Sequence, residues 1–99
     1  MLYSIVGIDA PNSLELRMAA RPDHVDRLKN LLQQGRLVLA GPNPAIDSED
    51  PGKAGFSGSI IIAEFNSLED AQHWANDDPY IKSGVYQSAT VKPFIQALP

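Results

Sequence analysis

The chain has 99 residues, no cysteine, and a formal net charge of −4 from 8 Lys and Arg against 12 Asp and Glu. Disulfides, a thiolate nucleophile and a zinc–thiolate site are thereby excluded, and the absence of a basic stripe argues against nucleic acid as a partner. No apolar run approaches the ~20 residues that span a bilayer, so no membrane association is expected. The start, MLYSIVGID, lacks a basic leader and a small-residue cleavage site. A single cytoplasmic domain over residues 1–99 is the expectation.

Leu2 to Ile8 reads as a first strand with apolar residues on both faces, Leu2, Val6 and Ile8 against Tyr3 and Ile5. Asp9-Ala10-Pro11-Asn12 breaks it, and Ser13 is placed to cap a short helical stretch over Leu14–Ala20. Pro22 then predicts the start of a second, stronger helix, with Asp23 and Asp26 at its positive end. Its expected buried stripe is Val25, Leu28, Leu31 and Leu32, and Gly35 ends it. On a helical wheel His24 shares the side of Leu28 and Leu31, facing the sheet.

Arg36–Ala40 predicts a short strand stopped by Gly41-Pro42-Asn43-Pro44. A proline-, glycine- and acid-rich loop follows to Gly55, longer than an ordinary connection. Ser57–Phe65 is the most β-prone run, with Ile61, Ala63 and Phe65 on one face and Ile60 and Ile62 on the other. Such a strand belongs in the middle of a sheet. Gly58 beside Ser59 marks a point of close approach by another group. Ser67 caps the next helix, whose buried face is Leu68, Ala71, Trp74 and Ala75. Asp78-Pro79 ends that helix, and Tyr86–Phe94 is the last strand.

The order β-α-β-β-α-β is the ferredoxin-like α+β pattern with a four-stranded antiparallel sheet. Two helices cover one sheet face only, although the strands are apolar on both. A homodimer packed through its sheet faces is therefore expected.

Among chemistry-bearing residues His24 leads. In a helix first turn the dipole favours neutral imidazole, which acts as general base or acid; a core histidine bonded to backbone is the equal alternative. Asp78 would fix the tautomer of a neighbouring histidine, or is simply a helix stop. Ser59 offers a hydroxyl, without the strand-to-helix elbow of a serine nucleophile. Arg17 and Arg21, four apart, could clamp a carboxylate or form surface ion pairs. Tyr80 and Tyr86 could line a pocket or pack. His73 lies on a polar helix side, so a two-histidine metal site is not expected. Asp47, Glu49 and Asp50 lack a calcium-loop pattern, and no phosphate-cradling glycine loop is present.

Several separate blocks converge on one family. R-P-D-H-V-D-R-L at Arg21–Leu28, G-R-L-V-L-A-G-P-N-P-A-I-D at Gly35–Asp47 and A-G-F-S-G-S-I-I-I-A-E-F at Ala54–Phe65 resemble the YciI-like proteins. So do D-P-Y at Asp78–Tyr80, G-V-Y at Gly84–Tyr86 and V-K-P-F at Val91–Phe94. The resemblance implies a dimeric α/β-barrel of ferredoxin-like subunits and an active site around a histidine–aspartate pair, which falls on His24 and Asp78. Ser59 matches the serine of the nearby G-S step. A related group with YciI-like domains dehydrochlorinates a chlorinated aromatic compound, which implies acid–base lyase chemistry without naming the substrate here.

The expectation is a small cofactor-independent enzyme of lyase or hydrolase type, with His24, Asp78 and Ser59 as catalytic residues. Arg17, Arg21, Gly41, Pro42, Phe56 and Tyr80 are the substrate-binding set, near the Asn43–Gly55 loop. The alternative is a non-catalytic dimer that binds a small ligand.

Overall fold

The computed structural model describes residues 1–99. Strands β1 (Leu2–Asp9), β2 (Leu37–Pro44), β3 (Phe56–Glu64) and β4 (Tyr86–Phe94) form one antiparallel sheet in the order β2-β3-β1-β4. Helices α1 (Leu14–Gln33), α2 (Leu68–Asn76) and the single turn α3 (Pro79–Lys82) connect them. This is the ferredoxin-like α+β architecture that the alternation of strand and helix signals dictates. β1 and β3 lie in the middle and carry the apolar runs, as residues covered on both edges must.

The period of two sorts their side chains. Tyr3 and Ile5 of β1 join Ile61 and Ala63 of β3 under the helices, packed with Phe65, Leu31, Ala71 and Ala75. Val6, Ile8 and Ile60 point to the opposite face and remain 38%, 46% and 37% exposed. The helix-covered face is the core; the other carries apolar side chains with no cover from this chain.

The helical region before β2 differs from expectation. Leu14–Gln33 is one helix, with Pro22 in its interior. Proline deletes one backbone bond and crowds the carbonyl four residues back, here that of Met18, a residue 62% exposed. The disruption thus faces water, where a freed carbonyl is readily solvated. The helix is pinned on both sides of it, because Arg17, His24 and Leu31 recur every seventh residue and are all buried. Two of the three are polar, which hid the stripe. Of the expected apolar stripe only Leu31 is buried; Val25 and Leu28 are half-buried and Leu32 is 60% exposed.

One consequence is that His24 sits mid-helix, beyond the first turn where a helix dipole acts. The helix dipole therefore does not act on this imidazole as expected. Ser13 occupies the N-cap position but its side chain makes no capping bond.

Strand β2 runs through Gly41-Pro42-Asn43-Pro44, four residues past its expected end. It is an edge strand, so a proline whose missing N–H faces outward costs no ladder bond. After Asn76, Asp78 begins a helix as well as following one. It caps α3, its Oδ1 accepting the Tyr80 N–H at 2.9 Å. Ser67 caps α2 as expected, accepting the Asp70 N–H at 3.0 Å, although Leu68 is 38% exposed.

Candidate functional site

The α1 stripe and the Asp78 cap meet. His24 Nδ1 lies 2.8 Å from Asp78 Oδ1 and 3.0 Å from Oδ2, with both residues buried. The carboxylate is held before the histidine reaches it, because the α3 turn directs the Tyr80 N–H at Oδ1. Tyr80 then lies flat on the imidazole, ring centroids 3.8 Å apart and planes 12° from parallel. Bonding at Nδ1 fixes the ring's orientation and leaves Nε2 as the nitrogen free for other work.

Arg27, one turn beyond His24, approaches the same carboxylate from a second side, Nη1 being 3.6 Å from Asp78 Oδ2. Its Nη2 donates to the Trp74 carbonyl at 2.7 Å and its guanidinium lies 4.1 Å from the indole centroid. Burial lowers the Arg27 pKa, with Asp78 and Asp77 opposing. Nη1 is buried without a hydrogen-bond partner, so its main satisfaction is the charge of Asp78.

Arg17 builds the neighbouring wall. Its Nε and Nη2 donate to Asp9 Oδ2 and Oδ1, both at 2.8 Å, a bidentate fork. Nη2 also donates to Ser59 Oγ at 2.9 Å and to the Gly58 carbonyl at 3.1 Å. The guanidinium lies 4.7 Å from the Tyr80 ring centroid and 5.2 Å from that of Phe56. Burial works against its charge, but the hydrogen bond and charge of Asp9, with smaller help from Tyr80 and Tyr86, hold its pKa above the ordinary value. Arg17 therefore ties β1, α1 and β3 together with its charge already matched by Asp9.

Two glycines make this possible. A Cβ on Gly7 would lie 2.5 Å from Cζ of Tyr86, so the phenol crosses β1 at the one residue without a side chain. A Cβ on Gly58 would collide with the Gly7 carbonyl, and that backbone is the group that approaches there. Tyr86 packs edge-on to Tyr80 with centroids 5.3 Å apart. Burial raises its pKa to about 12 against the opposing hydrogen bond of Ser59.

Beside this network an open cavity of about 280 Å³ lies between α1 and the β2–β3 half of the sheet. Arg17, Arg21, His24, Gly41, Pro42, Ser59 and Tyr80 all line it, with Val25, Leu28, Lys29, Leu32, Leu37, Ala40 and Ile61. Phe56 does not; it stacks behind Arg17 and borders a separate surface hollow with Asp9 and Leu14. The Asn43–Gly55 loop also lies away from the cavity, because extending β2 through Pro44 carries the loop past it.

Sequence reasoning missed Asp9, Arg27 and Lys29. Asp9 reads as a strand breaker, and only the fold brings it to Arg17. Arg27 had a signal, since residues three apart on a helix share a side with His24.

The chain is thus a ferredoxin-like protein with a buried histidine–aspartate pair at the wall of a small, largely apolar cavity. It belongs to the YCII-related domain family, whose profile matches residues 1–95. It is 57% identical over 94 residues to Protein YciI of Escherichia coli O6:H1, covering 95% of this chain and 96% of that one. It is 33% identical over 72 residues to derivative of benzaldehyde biosynthesis cluster protein C of Emericella nidulans, covering 72% and 74% of the two chains. Among solved structures it resembles 5-chloro-2-hydroxyhydroquinone dehydrochlorinase (TftG) from Burkholderia phenoliruptrix AC1100 in complex with 2,5-dihydroxybenzoquinone. That match has a TM-score of 0.84 and 23% identity over 98% of this chain and 96% of the other, a likeness of fold.

Proposed function

We propose that the protein is an enzyme acting on a small organic molecule by general acid–base chemistry of lyase or hydrolase type. His24 exchanges the proton through Nε2, Asp78 orients the imidazole and stabilises its charged form, and Ser59 hydrogen-bonds the substrate. The observation that carries this is the 2.8 Å contact from His24 Nδ1 to Asp78 at the wall of a cavity, which leaves the second ring nitrogen for a bound molecule. Arg21, Gly41, Pro42 and Tyr80 are assigned to substrate contact. Arg17 is assigned to holding Ser59, whose Oγ accepts from its Nη2 at 2.9 Å. The dehydrochlorinase named above and the benzaldehyde-cluster relative are in keeping with small-molecule chemistry.

The test is a turnover screen of native protein against small organic compounds, repeated with His24→Asn and Asp78→Asn. Turnover lost by about 10²-fold or more in both, with circular dichroism unchanged, is expected. Full activity in His24→Asn would sink the assignment. Ligand binding retained in both variants, with no turnover in the native protein, favours the non-catalytic reading.

The apolar outer sheet face of Val6, Ile8 and Ile60 is assigned to a second copy of the chain. Sedimentation of the native protein should give twice the monomer mass, and Val6→Asp should give the monomer.

A further inference from the structure

The cavity has an unusual charge for this chain. Its lining holds three of the eight Lys and Arg, Arg17, Arg21 and Lys29, and none of the twelve Asp and Glu. Arg17 is already paired with Asp9. Neither Arg21 nor Lys29 has a carboxylate within ion-pair distance, all four ion pairs of the molecule lying elsewhere. Both stand on α1 eight residues apart, roughly 12 Å along the axis, with His24 between them. Arg21 acts on the cavity wall itself: burial raises the Tyr80 pKa, and Arg17 and Arg21 pull it back.

The other side of the lining is apolar, with Leu28, Leu37 and Ile61. Arg21 and Lys29, both exposed at the α1 rim and without a protein partner, are free to reach an anion there, and the hydrocarbon wall suits a carbon body. At about 280 Å³ the space is near the lower end of the ~300–1,000 Å³ range of ligand sites, which suits a molecule of about one ring.

We propose that the site takes a small organic acid, its carboxylate or phenolate held at the α1 rim by Arg21 and Lys29 and its apolar body against Leu28, Leu37 and Ile61. This rests on the assignment of the cavity as the substrate site. It places the charged group beside His24, so the proton exchanged belongs to an atom close to that group.

Binding tests this without turnover. Benzoate, with benzamide as the uncharged isostere, is titrated into native protein and followed by amide chemical shifts. Benzoate should perturb Ser59, Gly41 and Leu37 and bind at least about tenfold tighter than benzamide, the scale of one charge-assisted hydrogen bond. Arg21→Gln with Lys29→Gln should remove that margin, and raising salt from about 20 to about 200 mM should shrink it. Equal binding of the two compounds, benzoate binding indifferent to the double variant, or no benzoate binding overturns the proposal. Those results leave the His24–Asp78 assignment standing, and inactive His24→Asn protein that still prefers benzoate separates the two from the other side.

Discussion

Tyr80 lies stacked on His24 at 3.8 Å while its own N–H is bonded to the carboxylate that holds that histidine. One residue thus sets the imidazole plane through its ring and the Asp78 geometry through its backbone. Tyr80→Ala should cost about 3–5 kcal/mol, the usual penalty for emptying a buried aromatic site, whereas Tyr80→Phe keeps ring and backbone bond and should lose under about 1.5 kcal/mol. Urea unfolding of the two variants checks this. Equal losses would mean that the phenol hydroxyl, and not the stack, carries the stabilisation.

Asp9 and Arg17 form a pair with side chains 3% and 5% exposed. Removing one partner strands a buried charge, so Asp9→Ala should destabilise by about 3–5 kcal/mol. Adding Arg17→Met to Asp9→Ala should recover part of that loss, because the stranded cation is then gone. A double variant whose loss equals the sum of the single losses would show the two residues to be uncoupled.

Gly58→Ala should be worse than Gly7→Ala. The Gly58 Cβ meets the Gly7 backbone carbonyl, which cannot move without parting β1 from β3, whereas the Gly7 Cβ meets the ring of Tyr86. Overpacking of the second kind costs about 1–3 kcal/mol, and Gly7→Ala should be milder still in a Tyr86→Ala background. Thermal melts of the set decide it, and a milder Gly58→Ala would contradict the close approach.

Tyr86 makes stability depend on alkaline pH. Its pKa is raised by burial to about 12 from 10.0. The folded state therefore keeps the proton when the unfolded chain has lost it. The contribution is fully present below pH 10 and falls away as pH rises towards about 12, a loss of roughly 2–3 kcal/mol at 1.36 kcal/mol per unit. Tyr86→Phe should flatten this part of the profile. Identical alkaline profiles for the two proteins would count against it.

Much of the fold was legible because period-two patterning is a local property. Alternation alone locates β4 at Tyr86–Phe94 and β3 within a residue at each end, and divides Ile61 and Ala63 from Ile60. The helix at Pro22 was not legible. Local preference says that a proline starts or stops a helix, and what overrides it is the burial of Arg17 and His24 on either side.

By itself, then, the sequence determined the ferredoxin-like order, the two-faced apolar sheet and the choice of His24, Asp78 and Ser59 as residues to watch. Only the tertiary structure decided that His24 and Asp78, 54 residues apart, touch. Only it decided that Arg17 is matched by Asp9 while Arg21 and Lys29 are not. Backbone patterning depends on neighbours along the chain, whereas the state of a charge depends on which groups the fold brings within a few ångströms and on how much water it leaves them.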